Sequence, residues 1–199
     1  MAQLRFTRFF LVFVILFSAS QAFSQQLDAI YVNPDMSLAN YDRILLSDLN
    51  IASAKVVPPA WVEGKDRNPR RWAIKEQGIQ AMQKAFREAV TEHLTANNGY
   101  EVVTTPADKT LEATVIIISL TPYALAEDNV VTKGTGELTM QVSLRDALTN
   151  KLLAIYEGPQ QVGEAYQERT DLSALNDLKS LFDDWGKRIR EAMDQAHQK

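Results

Sequence analysis

The sequence has no cysteine and only two histidines among its 199 residues. Without cysteine the chain can form no disulfide, no thiolate metal site and no cysteine nucleophile, and it cannot carry the lipid that bacterial lipoproteins bear on an N-terminal cysteine. So little histidine also argues against the usual zinc, copper and non-haem iron sites. We therefore expect no metal and no cofactor, and a fold that is stabilised by buried apolar surface alone.

Catalytic motifs are missing as well. The sequence contains no Gly-x-Ser-x-Gly elbow and no phosphate-binding loop, since the glycines of residues 133–136 lead into a strand and not into a helix. His93 is interpreted as an ordinary helix-surface residue, and His197 lies near the chain end. We expect a protein that is not an enzyme. A hydrolase built on carboxylates and water is the alternative, although Asp183 and Asp184 would diverge by about 100° on a helix.

Basic residues are outnumbered, with 21 lysines and arginines against 25 acidic residues. Two of them, Arg5 and Arg8, precede an apolar run at residues 9–17, which small residues follow at 22 and 24. This pattern is typical of a secretory signal peptide over residues 1–24, cleaved within 22–24. The run is about half of the roughly 20 residues that cross a bilayer, so an uncleaved anchor is only the alternative.

The mature chain should therefore be a periplasmic protein that is not lipid-anchored and has no transmembrane segment. Loss of the two leader arginines leaves 19 basic and 25 acidic residues, a formal charge of −6. That balance gives no reason to expect a nucleic-acid partner. Residues 25–199 have the length and ordinary composition of one globular domain.

Strict alternation marks one strand as the centre of this domain. In residues 136–145 the apolar side chains Leu138, Met140, Val142 and Leu144 are separated by polar ones. One face of this strand must therefore be buried and the other solvated, and a slip of one residue would expose all four apolar side chains.

The other elements can be read as covers for that face. Apolar stripes at three- to five-residue spacing predict two long helices, and apolar or β-branched runs predict the remaining strands. The helices are expected at residues 69–96 and 172–193, and the strands at 41–51, 100–103, 111–120 and 152–156, with a short edge strand at 29–32. Asn150 is expected to turn the last hairpin at positive φ, and Gly158-Pro159 to break the chain. The predicted fold is an α+β two-layer sandwich, with a mostly antiparallel sheet of about five strands and both helices on one face.

A candidate binding surface lies in segment 61–72, which ends an irregular stretch. Aromatic rings beside cations can meet anionic lipid or glycan, but the net local charge of +2 supplies only about 2 kcal/mol. In the alternative, Trp72 packs into the core and the arginines lie along it. The candidate residues are Trp61, Lys65, Arg67, Arg70, Arg71 and Trp72, offset by Glu63 and Asp66.

Several landmarks together resemble a known family. They are residues 31–34, 41–46, 99–103, 136–146 and 149–154, which hold turns and strands and no catalytic group. They resemble a family of small bacterial envelope proteins, domain of unknown function 3313. Many members are lipoproteins, and this sequence departs from them because it has no cysteine at the cleavage site. The resemblance implies an envelope location and a fold without implying an activity.

These observations favour a non-enzymatic interaction or accessory protein of the bacterial cell envelope, whose partner is another envelope protein. The alternative is a binder of a lipid, a glycan or another small ligand through segment 61–72 or through a gap between the sheet and the helices.

Overall fold

The computed structural model describes residues 27–198, apart from the side chains of Lys65 and Pro69. The predicted signal peptide, residues 1–24, lies outside this range. The helices are α1 (Glu76–Thr95) and α2 (Asp171–Ala196). The strands are β1 (Asp28–Val32), β2 (Arg43–Leu46), β3 (Lys55–Val56), β4 (Glu101–Val103), β5 (Thr110–Pro122), β6 (Val131–Lys133), β7 (Gly136–Asp146), β8 (Leu152–Val162) and β9 (Tyr166–Glu168). In the described range, neither helix is apolar enough over a sufficient length to cross a bilayer.

The main sheet has seven strands, in the order β1-β8-β7-β5-β2-β4, with β3 also paired to β5. The pairs β1–β8, β8–β7 and β7–β5 are antiparallel, whereas β2 runs parallel to both β4 and β5, and β3 runs parallel to β5. The expectation of about five mostly antiparallel strands was therefore wrong. Helix α1 connects β2 to β4 as a crossover, and a crossover brings the chain back in the same direction.

The α+β class and the central role of β7 are confirmed. Strand β7 lies between β5 and β8, and its residues Leu138, Met140 and Val142 are buried. Both helices contribute to the same core as this face of the sheet. The rings of Phe86 on α1 and Phe182 on α2 meet edge to face, with their centroids 5.5 Å apart.

Two predicted boundaries were wrong. The first helix was expected from residue 69, but Pro69–Trp72 forms a separate 3-10 turn, and extended backbone at Ala73 and Lys75 delays α1 to Glu76. The chain was also expected to break at Gly158-Pro159, but β8 continues to Val162. Proline is tolerated there because, among the described residues, β1 pairs with β8 only as far as Glu157 and leaves Pro159 without a strand partner on that side.

Candidate functional site

A cleft of about 510 Å³ opens between the two layers, where both helices begin and where β5 ends and β7 starts. Its floor is formed by the buried side chains of Trp72, Met82, Val162 and Leu178. Its rim carries charged side chains, among them Arg71, Lys75, Glu127 and Asp171. The cleft therefore leads from a charged, solvated rim to the apolar core.

The walls of the cleft are mostly apolar. They include Ile74 from the turn before α1, Leu120 from β5, and Leu175 from α2. The small residues Gly78 and Ala174, from the first turns of α1 and α2, also line the space. The volume of the cleft falls within the range of small-molecule sites, and its lining combines apolar walls with polar and charged side chains.

Two 3-10 turns close one side of the cleft. The turn Pro69–Trp72 begins at Asn68, whose side chain accepts a hydrogen bond from the Arg70 amide, and it directs the Trp72 ring inward. The Trp72 indole N–H donates to the Asp66 carbonyl over 2.7 Å. The second turn is Ala126–Asp128. Arg71 joins the two turns, because it belongs to the first and its guanidinium lies 3.8 Å from Asp128 in the second. The same guanidinium also contacts Asp66 in the preceding 3-10 turn, Gly64–Arg67.

Arg169 is the one lining residue with a buried polar atom that has no hydrogen-bond partner in the described part of the chain. It lies between β9 and α2, and its amide donates to the Val130 carbonyl over 2.9 Å. One terminal nitrogen, Nη1, donates to the Thr170 carbonyl, but Nε is buried and unpaired. Burial lowers the pKa of the Arg169 guanidinium, and the negative charges of Asp171, Asp177 and other acidic residues oppose that shift.

The structure divides the predicted surface of segment 61–72. Arg71 and Trp72 line the cleft, and Trp72 is buried with 4% of its surface exposed. Trp61 is 64% exposed and, like Arg67 and Arg70, lies outside the cleft. The Lys65 side chain is outside the described part of the structure. The two tryptophans therefore do not form one surface.

His93 lies between the helices rather than on an open surface. It is partly buried beside Gly186, and its Nε2 is 3.5 Å from the Asp183 carboxylate. Within residues 27–198, no group of three or more histidine, cysteine, aspartate or glutamate residues is placed to hold a metal ion. No local pattern pointed to Arg169, because this residue lies between two elements and belongs to no periodic stripe.

The family model named "Protein of unknown function (DUF3313)" matches residues 13–189. The chain belongs to this family. The DUF3313 match covers most of the chain and confirms the resemblance that the turns and strands suggested. No curated protein matches the chain.

Solved structures with a similar arrangement share little sequence with this DUF3313 protein. A Xanthomonas campestris protein of the family DUF330 has a TM-score of 0.49 at 8% identity, with 88% of this chain and 97% of that chain covered. A PelC dodecamer from Paraburkholderia phytofirmans has a TM-score of 0.40 at 7% identity, covering 83% and 96%. A homologue of the neuraminyllactose-binding hemagglutinin from Helicobacter pylori has a TM-score of 0.40 at 8% identity, covering 79% and 88%. Similarity this distant carries no inference about function.

Proposed function

We propose that this DUF3313 protein is a non-enzymatic accessory protein of the bacterial cell envelope that binds a small apolar or amphiphilic molecule in the cleft. The observation that carries the proposal is the cleft itself, whose volume of about 510 Å³ lies between the layers and reaches buried Met82 and Leu178. Pockets that bind small molecules usually have about 300–1,000 Å³ and predominantly apolar walls.

The envelope location and the lack of catalysis rest on the sequence. Residues 1–24 have the basic start, apolar run and small residues of a signal peptide. The chain has no cysteine, two histidines and none of the nucleophile or phosphate-loop motifs. A binding role needs none of these groups, because an apolar cleft gains affinity from the burial of apolar surface.

A neutral apolar probe, N-phenyl-1-naphthylamine, tests the cleft by its fluorescence on binding to the purified protein. Ala174→Trp would place an indole in the space between α2 and α1, and we expect it to weaken probe binding at least about tenfold. Ala192→Trp, the same substitution on an exposed position of α2, should leave binding unchanged. Melting curves of both variants establish that they are folded.

The same titration separates the cleft from segment 61–72. The double variant Trp61→Ala with Arg70→Ala removes two exposed side chains that do not line the cleft, so its affinity should equal that of the original chain. If this variant loses the probe and Ala174→Trp keeps it, the site is the exposed segment and not the cleft. If the original chain does not bind the probe, the cleft is not a binding site for apolar molecules.

A further inference from the structure

Arg169 gives the cleft a cationic end without a direct counter-ion. In the described part of the chain, Arg169 has no carboxylate oxygen within 4.0 Å, whereas Arg71 on the same rim contacts Asp66 and lies near Asp128. Arginine presents a planar fork of N–H donors that matches carboxylate and phosphate oxygens. Arg169 lines the cleft, and its Nε is a donor that no acceptor satisfies within the described residues.

The carboxylates around Arg169 are held by other groups. Asp128 accepts a hydrogen bond from the Leu125 amide over 2.8 Å through Oδ2, and Asp177 accepts one from the Gln167 side-chain amide over 2.7 Å. Glu127 and Asp171 are exposed on the rim. These residues favour the charged form of Arg169 from a distance, and none of them pairs with its buried Nε.

This arrangement selects the sign of the ligand. A cationic ligand would bring a like charge to the guanidinium and would leave Nε unsatisfied. An anion beside the guanidinium would supply an acceptor and the opposite charge, and hydrogen bonds between charged groups are stronger than those between neutral groups. The solvated carboxylates of the rim can keep their water when such an anion binds.

The rest of the cleft indicates the chemistry of the ligand beyond its anionic group. Beyond Arg169 the lining consists mainly of aliphatic side chains from both layers, including Met82, Leu120 and Leu178. We propose, building on the proposed function, that the ligand is an acidic amphiphile whose carboxylate or phosphate head pairs with Arg169 and whose alkyl chain lies between the helices and the sheet. Arg169 is then the residue that determines head-group specificity.

The role of Arg169 is tested by displacing bound N-phenyl-1-naphthylamine with decanoate or with decan-1-ol, which has the same chain length and no charge. Decanoate should bind the original chain more tightly than decan-1-ol. Arg169→Gln should weaken decanoate about tenfold to a hundredfold, and it should change the affinity for decan-1-ol less than twofold. Unchanged binding of the alcohol shows that the cleft is intact in this variant.

Two controls sharpen the comparison. Arg70→Gln removes an exposed arginine that does not line the cleft, so it should change decanoate binding less than about threefold. Arg169→Lys keeps the charge without the planar fork, and its loss of affinity should fall between those of the original chain and Arg169→Gln. Decyl phosphate distinguishes the two head groups, because whichever of it and decanoate binds more tightly identifies the acid that the site prefers.

The experiment distinguishes failure of the head-group inference from failure of the proposed function. If decan-1-ol binds as tightly as decanoate, or if Arg169→Gln weakens both equally, the head-group inference is overturned although the cleft still binds apolar molecules. If neither the probe nor any alkyl compound binds, both proposals are overturned. A selective loss of decanoate and decyl phosphate in Arg169→Gln supports the assignment.

Discussion

Arg190 shows how a single side chain holds the two helices together. It lies on α2, and its Nη1 donates to the carbonyl groups of Leu94 over 3.3 Å and Ala96 over 2.7 Å, at the end of α1. Its Nε donates to Asp194 over 2.8 Å, and its guanidinium carbon lies 5.3 Å from the centre of the Tyr100 ring. The last carbonyl groups of a helix have no partner within the helix, so a cation placed there satisfies them.

We therefore expect Arg190→Gln to destabilise the fold by about 2 kcal/mol, because hydrogen bonds from a charged donor are worth about 1.5–3 kcal/mol. The measurement is the free energy of unfolding from urea titration monitored by circular dichroism. Lys187→Gln is the matched control on the same helix, since Lys187 is exposed and is only 3.4 Å from Asp184 in a surface ion pair. That pair should contribute less than about 1 kcal/mol. Equal effects of the two substitutions would contradict the role assigned to Arg190.

The hairpin between β7 and β8 is determined by the residues of its turn. Asp146 at the end of β7 accepts hydrogen bonds from the amides of Leu148 and Thr149, over 3.1 and 2.8 Å. Asn150 then takes φ of 58°, which confirms the sequence-based prediction of positive φ at this residue. The alternation of β7 and the turn residues that follow it together set the register of the central pair of strands.

This turn gives a prediction about backbone conformation. Asn150→Ala should destabilise the protein by about 1 kcal/mol. The Cβ of alanine is sterically disfavoured at positive φ, and alanine lacks the local polar contacts with which asparagine offsets this cost. Asn150→Gly should be nearly neutral, since glycine adopts positive φ without that cost. Urea unfolding of the two variants measures the difference. A loss as large in the glycine variant as in the alanine variant would assign the effect to the side chain rather than to the backbone.

Strand β7 was predictable and the start of α1 was not, for reasons that differ in kind. The alternation of apolar and polar residues over 136–145 fits only a strand with one buried face, and the structure has a strand at Gly136–Asp146. Asn68 followed by proline is an equally good start for an α-helix or a 3-10 turn, and the structure has the turn, with Trp72 buried at its end. Strand direction was also hidden, because the buried Ile44 and Leu46 of β2 have the same spacing in parallel and antiparallel pairs.

At the scale of the whole molecule, the cleft is a product of topology. Its lining residues come from α1, α2, β3, β5, β7, β8 and the turns between them, which are far apart along the chain. Of the predicted surface residues whose side chains the structure describes, only Arg71 and Trp72 line it, and Arg169 lies about a hundred residues away from them in sequence. A local pattern cannot reveal such a site, because the site exists only after the helices cover the sheet.

Because of two buried tyrosines, we expect the folding stability to fall as the pH rises above about 10. The Tyr41 hydroxyl donates to Asp146 over 3.2 Å, and the Tyr100 hydroxyl donates to Asp194 over 2.9 Å. Burial, followed by interaction with Asp146, raises the pKa of Tyr41 from 10.0 to about 12. Burial, followed by the hydrogen bond to Asp194, raises the pKa of Tyr100 to about 12 as well.

The sign of the effect follows from proton binding. Between pH 10 and 12 the unfolded chain ionises these phenols while the folded chain keeps them neutral, so the unfolded state binds fewer protons and stability falls as pH rises. Each tyrosine can add up to about 1.4 kcal/mol per pH unit to this decline. We expect the double variant Tyr41→Phe with Tyr100→Phe to be less stable at pH 9, where it lacks both hydrogen bonds, but to lose less stability between pH 9 and 11.5. The measurement is the free energy of unfolding from urea titration, and lysine titration cancels in the comparison because it affects both proteins alike. If the free energy of unfolding falls equally with pH in both proteins, the two phenols do not control the loss of stability at alkaline pH.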